Sequence, residues 1–368
     1  MGYLITIGII VGIAVFIILF LQINPVFGRQ PSQKEMINYT PSDHFVAGKF
    51  NNVSHTRAGV SGNEMGSMLK DVLKGHPQHK PSVPLPMETP RFAVASSSSL
   101  QVTWFGHSAL MLNIEGKMLL LDPMFGPAPS PLPAFGSKRY SGGLPFELKN
   151  IPDIDAVLLS HDHYDHLDYG TIRVIKDKVK RFIVPLGVKG HLVRWGVEPS
   201  RIEEHDWWDE FAYAGLQLAC TPAQHFSGRS LTDRNATLWC SWVIKGERSS
   251  VFFSGDSGYA PHFQEIGAAY GPFDLSLVEC GQYDERWADI HMMPEQSVQA
   301  HLDVRAKLMM PIHWAGFTLA FHAWTDPVDR AVKAAHEHGV AIMTPKIGET
   351  VSVGEGKSVP QAAWWKDV

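Results

Sequence analysis

The chain has 368 residues, 45% of them hydrophobic and 19% charged, enough apolar material for a large buried core and too much for a disordered protein. Its net charge of −5, with no run of Lys and Arg long enough to track a phosphate backbone, argues against nucleic acid as a partner. The three cysteines, Cys220, Cys240 and Cys280, form no CxxC pair and no disulfide framework, so they require no oxidising compartment.

Residues 3–23 carry no charge and as a helix would extend about 30 Å, the thickness of a bilayer's hydrocarbon core. The stretch lacks a basic leader and is longer than the apolar part of a signal peptide, so it reads as a single-pass membrane anchor over 1–24. Arg29 and Lys34 follow it, and positive-inside reasoning places the large C-terminal part in the cytoplasm. Residues 25–97 are rich in Pro, Ser, Asn and Gly and read as a linker, with one short helix near 63–73. Their His44, His55, His76 and His79 have no carboxylates at ligand spacing and read as solvated.

The texture changes at 98, where a folded domain is expected to run to 355, leaving 356–368 as a tail. Residues 100–105, 109–114 and 118–121 read as consecutive strands with Gly-containing turns. The segment 123–146 is long, aromatic and proline-rich, the composition of a lid or binding wall. Further strands are expected at 156–159, 181–185, 201–206, 216–221, 240–244, 250–254, 275–278 and 308–312. Helices are expected at 171–180, 190–195, 294–306 and 327–337.

One stretch dominates. The strand ending at Leu159 runs into Ser160-His161-Asp162-His163-Tyr164-Asp165-His166, a density of imidazole and carboxylate that no turn requires. In this HxHxDH pattern His161 and His163 reach one ion, and Asp165 and His166 a second; the donor set suits zinc, with iron or manganese as alternatives. Three more apolar strands end in a potential ligand: His225, Asp256 and His313. Strand ends on one edge of a layered fold lie together. His161, His163 and His225 then make one site and Asp165, His166 and His313 another, with Asp256, flanked by glycines, as the bridge. Two such ions would share a water and present hydroxide to phosphorus or a carbonyl carbon. No GxSxG elbow or Cys-His motif supports a covalent nucleophile.

These residues resemble the metallo-β-lactamase superfamily. Within it, the chain resembles the N-acylphosphatidylethanolamine-hydrolysing phospholipase D family, through TWFGHSALML at 103–112, SHDHYDHLD at 160–168, PAQHFSGRSLTDRNATLWCSWVI at 222–244, FFSGDSGY at 252–259 and MPIHWAGFTLAF at 310–321. The resemblance covers about 98–353 and implies an α/β fold, an αββα sandwich, here preceded by the transmembrane helix. It implies two zinc ions held by His161, His163, Asp165, His166, His225, Asp256 and His313. It also implies a phosphodiesterase yielding phosphatidic acid and an N-acylethanolamine, in which Asp165 and Asp256 act catalytically. His291 matches a position that contacts the phosphate or assists the leaving group, and His107 and Asp122 would orient the ligands from behind. Trp287, Phe317 and Phe321 are candidates to line an apolar substrate channel. The expected partners are a phospholipid and the membrane, with a homo-oligomer possible.

Competing readings are another hydrolase of the superfamily, such as a sugar-phosphate lactonase; a nuclease, which the acidic balance disfavours; and a membrane-tethered scaffold whose metals are structural.

Overall fold

The computed structural model describes residues 2–54, 56, 62–92, 100–134 and 136–368. His55 and position 98, the expected start of the catalytic domain, lie outside them. The chain begins with helix α1 (Gly2–Ile23), helix α2 (Gln33–Tyr39), a small hairpin of β1 (Phe45–Val46) and β2 (Lys49–Phe50), and helix α3 (Gly62–Lys74). Next come β3 (Leu100–Trp104), β4 (Leu110–Ile114), β5 (Lys117–Leu121), β6 (Ile154–Leu158), α4 (Tyr169–Ile175), β7 (Val179–Pro185), α5 (Lys189–Arg194) and β8 (Ile202–His205). The remainder supplies β9 (Glu210–Tyr213), β10 (Leu216–Thr221), β11 (Ser241–Lys245), β12 (Ser250–Phe253), α6 (His262–Tyr270), β13 (Phe273–Glu279), α7 (Pro294–Asp303), β14 (Ala306–Ile312), α8 (Asp326–Glu337) and β15 (Thr350–Val353).

The strands form two main sheets, ordered β15-β3-β4-β5-β6-β7-β8 and β14-β13-β12-β11-β10-β9. Successive side chains point to opposite faces, and here both faces are apolar. Leu112, Leu119 and Leu158 point inward and meet Leu218, Trp242, Phe253 and Leu277 between the sheets. Leu120, Val157 and Phe182 point outward and pack under Ile172 of α4 and Leu192 of α5. Val243, Phe252 and Val278 do the same on the other sheet, under Phe263, Val298 and Ala335 of α6, α7 and α8. The result is the expected helix-sheet-sheet-helix sandwich.

Strand direction decides where loops gather. β5 and β6 run parallel, and so do β12, β13 and β14. β3 and β5 flank antiparallel β4, and β10 and β12 flank antiparallel β11, so within each sheet these strands end at the same edge.

Several expectations are corrected. The helix expected at 171–180 stops at Ile175, because Val179, Phe182 and Val184 are drawn into the sheet. Helix α6 and edge strand β9 were not anticipated in sequence. The stretch 25–97 is not a loose linker: Tyr39, Phe50 and Leu85 are buried in the central core. His44 packs 4.2 Å from Trp207, and His79 bonds the carbonyl of Phe321, so neither is simply solvated. The tail is not loose either, since Trp364 and Trp365 pack on Trp314. Part of the segment 123–146 is pinned to the domain: the buried Arg139 guanidinium donates to the carbonyls of Phe105, Met124 and Gly126. α1 is an uncharged helix, and Ile7, Ile9, Ile10 and Ile13 are exposed. Among the described residues, however, no helix is long and apolar enough to cross a membrane. The side chains at 4, 5, 14 and 16–18 lie outside those described, and what remains is shorter than the roughly 20 apolar residues a crossing takes.

Candidate metal centre

Each expected ligand sits just beyond a strand's C-terminal end. His161 and His163 follow β6, His225 follows β10, Asp256 follows β12 and His313 follows β14. His163 Nδ1 lies 2.9 Å from His161 Nε2 and 3.2 Å from His225 Nε2. Three nitrogens so close share one focus, since the ligand atoms of a tetrahedral zinc are about 3.3 Å apart when each bond is near 2.0 Å. A second cluster gathers His107, Asp165, His166 and His313. There, Asp165 Oδ2 is 3.2 Å from His313 Nε2 and 3.5 Å from His166 Nε2.

Asp256 stands between the two. Its Oδ2 is 3.0 Å from His166 Nε2 and 3.2 Å from His313 Nε2, and 3.8 Å from both His161 Nε2 and His225 Nε2. The approach requires Gly255, which adopts φ 57° and whose added Cβ would fall 2.6 Å from Ser160 Cβ. His107, Asp122 and His313 also have positive φ, so the ring of loops is strained where the donors converge.

The electrostatics of the protein alone ask for cations. Burial opposes ionisation of Asp165 and Asp256, yet the imidazoles around them, His166 first, hold both carboxyls well below the usual range. Burial likewise opposes charge on His313, but Asp256, Asp165 and Glu279 push it up to about 10, and Asp256 and Asp165 raise His166. Burial and neighbouring imidazoles instead lower His161 and His225. His166 Nε2 and Asp256 Oδ1 are buried without a hydrogen-bond partner, a state that costs energy unless a cation takes them up. The donor set, neutral imidazoles with two carboxylates, fits divalent ions of the zinc class.

Behind the donors, a second set of groups fixes their orientation. Asp122 accepts from His166 Nδ1 at 2.7 Å and from the Ser160 backbone N–H at 2.7 Å, which leaves His166 Nε2 aimed at Asp256. Ser160 Oγ donates to Asp122 and accepts from His161 Nδ1, and the Ile290 carbonyl accepts from His225 Nδ1 at 2.9 Å. His107 Nε2 lies 2.9 Å from Asp165 Oδ2, close enough to steady it or to join the second cluster as a donor.

His291 lies beside the centre, its ring 5.2 Å from that of His313 and 5.0 Å from that of His225. Glu279, buried at the end of β13, lies 3.2 Å from His291 Nδ1 and 3.4 Å from His313 Nδ1. Sequence reading passed over Glu279 because a lone acid after a strand carries no spacing signal. It also passed over Asp162, which lies between two candidate ligands and accepts from His191 Nε2, Thr237 Oγ1 and the Gly228 N–H. Arg229 is buried and donates to the carbonyls of Asp162, Leu167 and Val26. The RSLTDRNATLW string is thus a scaffold for the ligand loop.

The aromatic residues divide. Trp287 and Phe321 are partly exposed, with ring centroids 6.0 Å apart. Phe317 is fully buried, packed 5.4 Å from His107 and under Arg139, so the expectation that it lines a channel is corrected.

Residues 117–314, more than half of the chain, match the family model described as the Beta-lactamase superfamily domain. The chain belongs to this family. It is 41% identical over 308 residues to an uncharacterized protein of Mycobacterium tuberculosis, covering 82% of each chain. It is 35% identical over 237 residues to a Caenorhabditis elegans protein named N-acyl-phosphatidylethanolamine-hydrolyzing phospholipase D 1, covering 61% of this chain and 66% of that one. Among solved structures, it is similar to Igni18, a metallo hydrolase from Ignicoccus hospitalis, with TM-score 0.54 at 22% identity, over 69% of this chain and 98% of that one. That last likeness bears on the fold alone. The family's matched span holds every candidate ligand from His161 to His313, whereas His107 precedes it.

Proposed function

We propose that this metallo-β-lactamase-fold protein is a binuclear hydrolase of N-acylated ethanolamine phospholipids, releasing phosphatidic acid and an N-acylethanolamine. The observation that carries the two-metal reading is the position of Asp256 Oδ2 between the His161/His163/His225 and Asp165/His166/His313 clusters. The substrate class is supported by the named relatives at 30–35% identity and by the RSLTDRNATLW string, which in this chain braces the ligand loop.

The donors fit two divalent ions, zinc or alternatively iron or manganese: His161, His163 and His225 would hold one, Asp165, His166 and His313 the other, with Asp256 shared. When bound, such ions supply Lewis acidity at the phosphoryl oxygens and an acidified water. The chain's own residues do the rest. Asp122, Ser160 and the Ile290 carbonyl keep the reactive nitrogens of His166, His161 and His225 pointed at the centre. Water adds to phosphorus as the bond to the ethanolamine oxygen breaks, and the proton it sheds passes to solvent, from which His291 is recharged after each turnover. His291, oriented through Nδ1 by Glu279, delivers a proton from Nε2 to that oxygen. Partly exposed Trp287 and Phe321 offer apolar surface to an acyl chain.

The test is an assay of the purified full chain on N-acylphosphatidylethanolamine, unacylated phosphatidylethanolamine and a sugar-phosphate lactone, with products identified by mass spectrometry. The expected result is N-acylethanolamine plus phosphatidic acid, abolished by a chelator and restored by zinc. Lactone opening without lipid cleavage would replace the substrate assignment, and no turnover of any diester by metal-loaded protein would leave a scaffold.

A further inference from the structure

Helix α3 is amphipathic, and its two sides meet different surroundings. Ser67 and Asp71, one turn apart, face the domain, where Arg286 Nη1 donates to Ser67 Oγ at 3.1 Å and pairs with Asp71 Oδ2 at 2.9 Å. Met65, Leu69 and Val72 follow i, i+4, i+7 spacing with Leu73 beside them, and all four are 61–79% exposed. An ordinary surface helix does the reverse, turning its apolar stripe to the core. Lys70 and Lys74 are exposed on the same helix. An apolar stripe bordered by lysines is the makeup of helices that lie flat in a lipid interface, where lysine stems snorkel toward the headgroups.

Its place in the fold gives this face a use. Arg286, the residue that tethers α3, sits beside Trp287 with its guanidinium 4.8 Å over the Phe321 ring. The His291 N–H bonds the Trp287 carbonyl, so the tether belongs to the wall of the metal centre. Under the inner side of α3 lies a cavity of about 710 Å³, lined in part by Ser67, Asp71, Arg286, Met293 and Phe321.

We propose that α3 is an interfacial helix, its Met65/Leu69/Val72/Leu73 stripe seated in the surface of an anionic phospholipid bilayer so that the neighbouring mouth of the centre faces lipid. This rests on the phospholipid-hydrolase reading and deepens it. The occupant is lipid rather than protein for two reasons. Four side chains fall far short of the roughly 20–30 residues a side that a stable protein interface uses. Asp71 is taken up by Arg286 on the domain side, so the exposed Lys70 and Lys74 put the charge beside the stripe that complements anionic headgroups.

Cys220, Cys240 and Cys280 are all buried, so a single surface cysteine can be labelled selectively. The full chain with Leu69→Cys, carrying an environment-sensitive fluorophore, is delivered from detergent into phosphatidylethanolamine/phosphatidylglycerol vesicles. The expected result is a blue shift with quenching by nitroxide-labelled lipid, while the same probe at Lys74→Cys stays in water. The Leu69→Glu/Leu73→Glu double variant is expected to lose about 10-fold in N-acylphosphatidylethanolamine hydrolysis in vesicles, as fits the loss of two apolar contacts. Its rate on the same lipid in detergent micelles is expected to be unchanged. A Leu69 probe that stays in water on vesicles, an equal loss in micelles, or a concentration-dependent dimer abolished by the double variant would each overturn the proposal. A buried probe without hydrolysis of any lipid would support the interfacial helix and overturn the substrate reading instead.

Discussion

Asp256 is the residue on which the two clusters depend, because its Oδ2 lies within 4 Å of two ring nitrogens in each. Asp256→Asn keeps the shape and removes the shared charge. Activity is expected to fall by about a hundred- to a thousand-fold, the size seen when one preorganised electrostatic group is lost. Bound metal measured by elemental analysis should drop from two equivalents toward one; unchanged metal content and rate would remove Asp256 from the site. Glu279 acts at one remove. Its Oε1 already accepts from the backbone N–H groups of Ser257 and Met292, so in Glu279→Gln the amide oxygen must stay there and the NH₂ must face His291 and His313. Both rings would then be met by a donor and pressed toward the other tautomer. The expected loss is about 10–100-fold in kcat, typical of groups that orient metal-site residues, with KM and circular dichroism little changed. A KM effect alone would make Glu279 structural. The HxHxDH cluster was legible in sequence because no fold needs such density of imidazole. Glu279, Asp162 and His191 were not, because each is one ordinary residue whose partner comes from elsewhere in the chain.

At the level of elements, the segment after α1 is a strut for the ligand loop rather than a tether. The Arg29 N–H donates to His191 Nδ1 at 3.0 Å, His191 Nε2 donates to Asp162 at 3.2 Å, and Asp162 separates His161 from His163. The Val26 carbonyl accepts from Arg229, which also holds the carbonyls of Asp162 and Leu167. Gly28 makes the approach possible: its φ is 67°, and a Cβ there would fall 1.8 Å from His191 Nδ1. Gly28→Ala must therefore push the segment off the domain, because φ 67° with ψ −154° is a conformation essentially reserved for glycine and costs a side chain about 1–3 kcal/mol before any clash. Zinc affinity in a chelator competition is expected to weaken about 10-fold, as for lost support behind a ligand. Lower thermal stability with unaltered zinc affinity would show that the strut serves the fold and not the metal loop. Strands β3 to β7 and β10 to β14 and helices α3, α7 and α8 were legible from periodicity and end signals. Helix α6 hides because its turns carry Gly267 and Ala residues in place of a strong apolar stripe, and docking of 25–54 depends on contacts that no local pattern encodes.

Across the whole molecule, the rim that gathers the donors is distinct from the three apolar clusters that hold the sheets and helices together. Fold and metal centre should then separate when ions are withdrawn. The carboxylates of Asp165 and Asp256 would not be left uncompensated, since His166 and His313, both raised by these acids, take up protons in the metal-free protein. Chelation is therefore expected to abolish activity while strand and helix signals in circular dichroism persist. Ligand-linked stability is also lost: at a free zinc concentration of about 100 Kd the bound state gains about 2.7 kcal/mol, so chelation should lower the Tm of a chain this long by roughly 3–5 °C. Because His313 is pushed up to about 10, an entering ion near pH 8 must displace its proton. Loading should thus release protons, detected as calorimetric heats that vary with buffer ionisation enthalpy, and affinity should weaken as pH falls. Global unfolding on chelation would mean that the ions hold the sandwich shut. Tight binding without proton release would place them elsewhere than between Asp165, Asp256, His166 and His313.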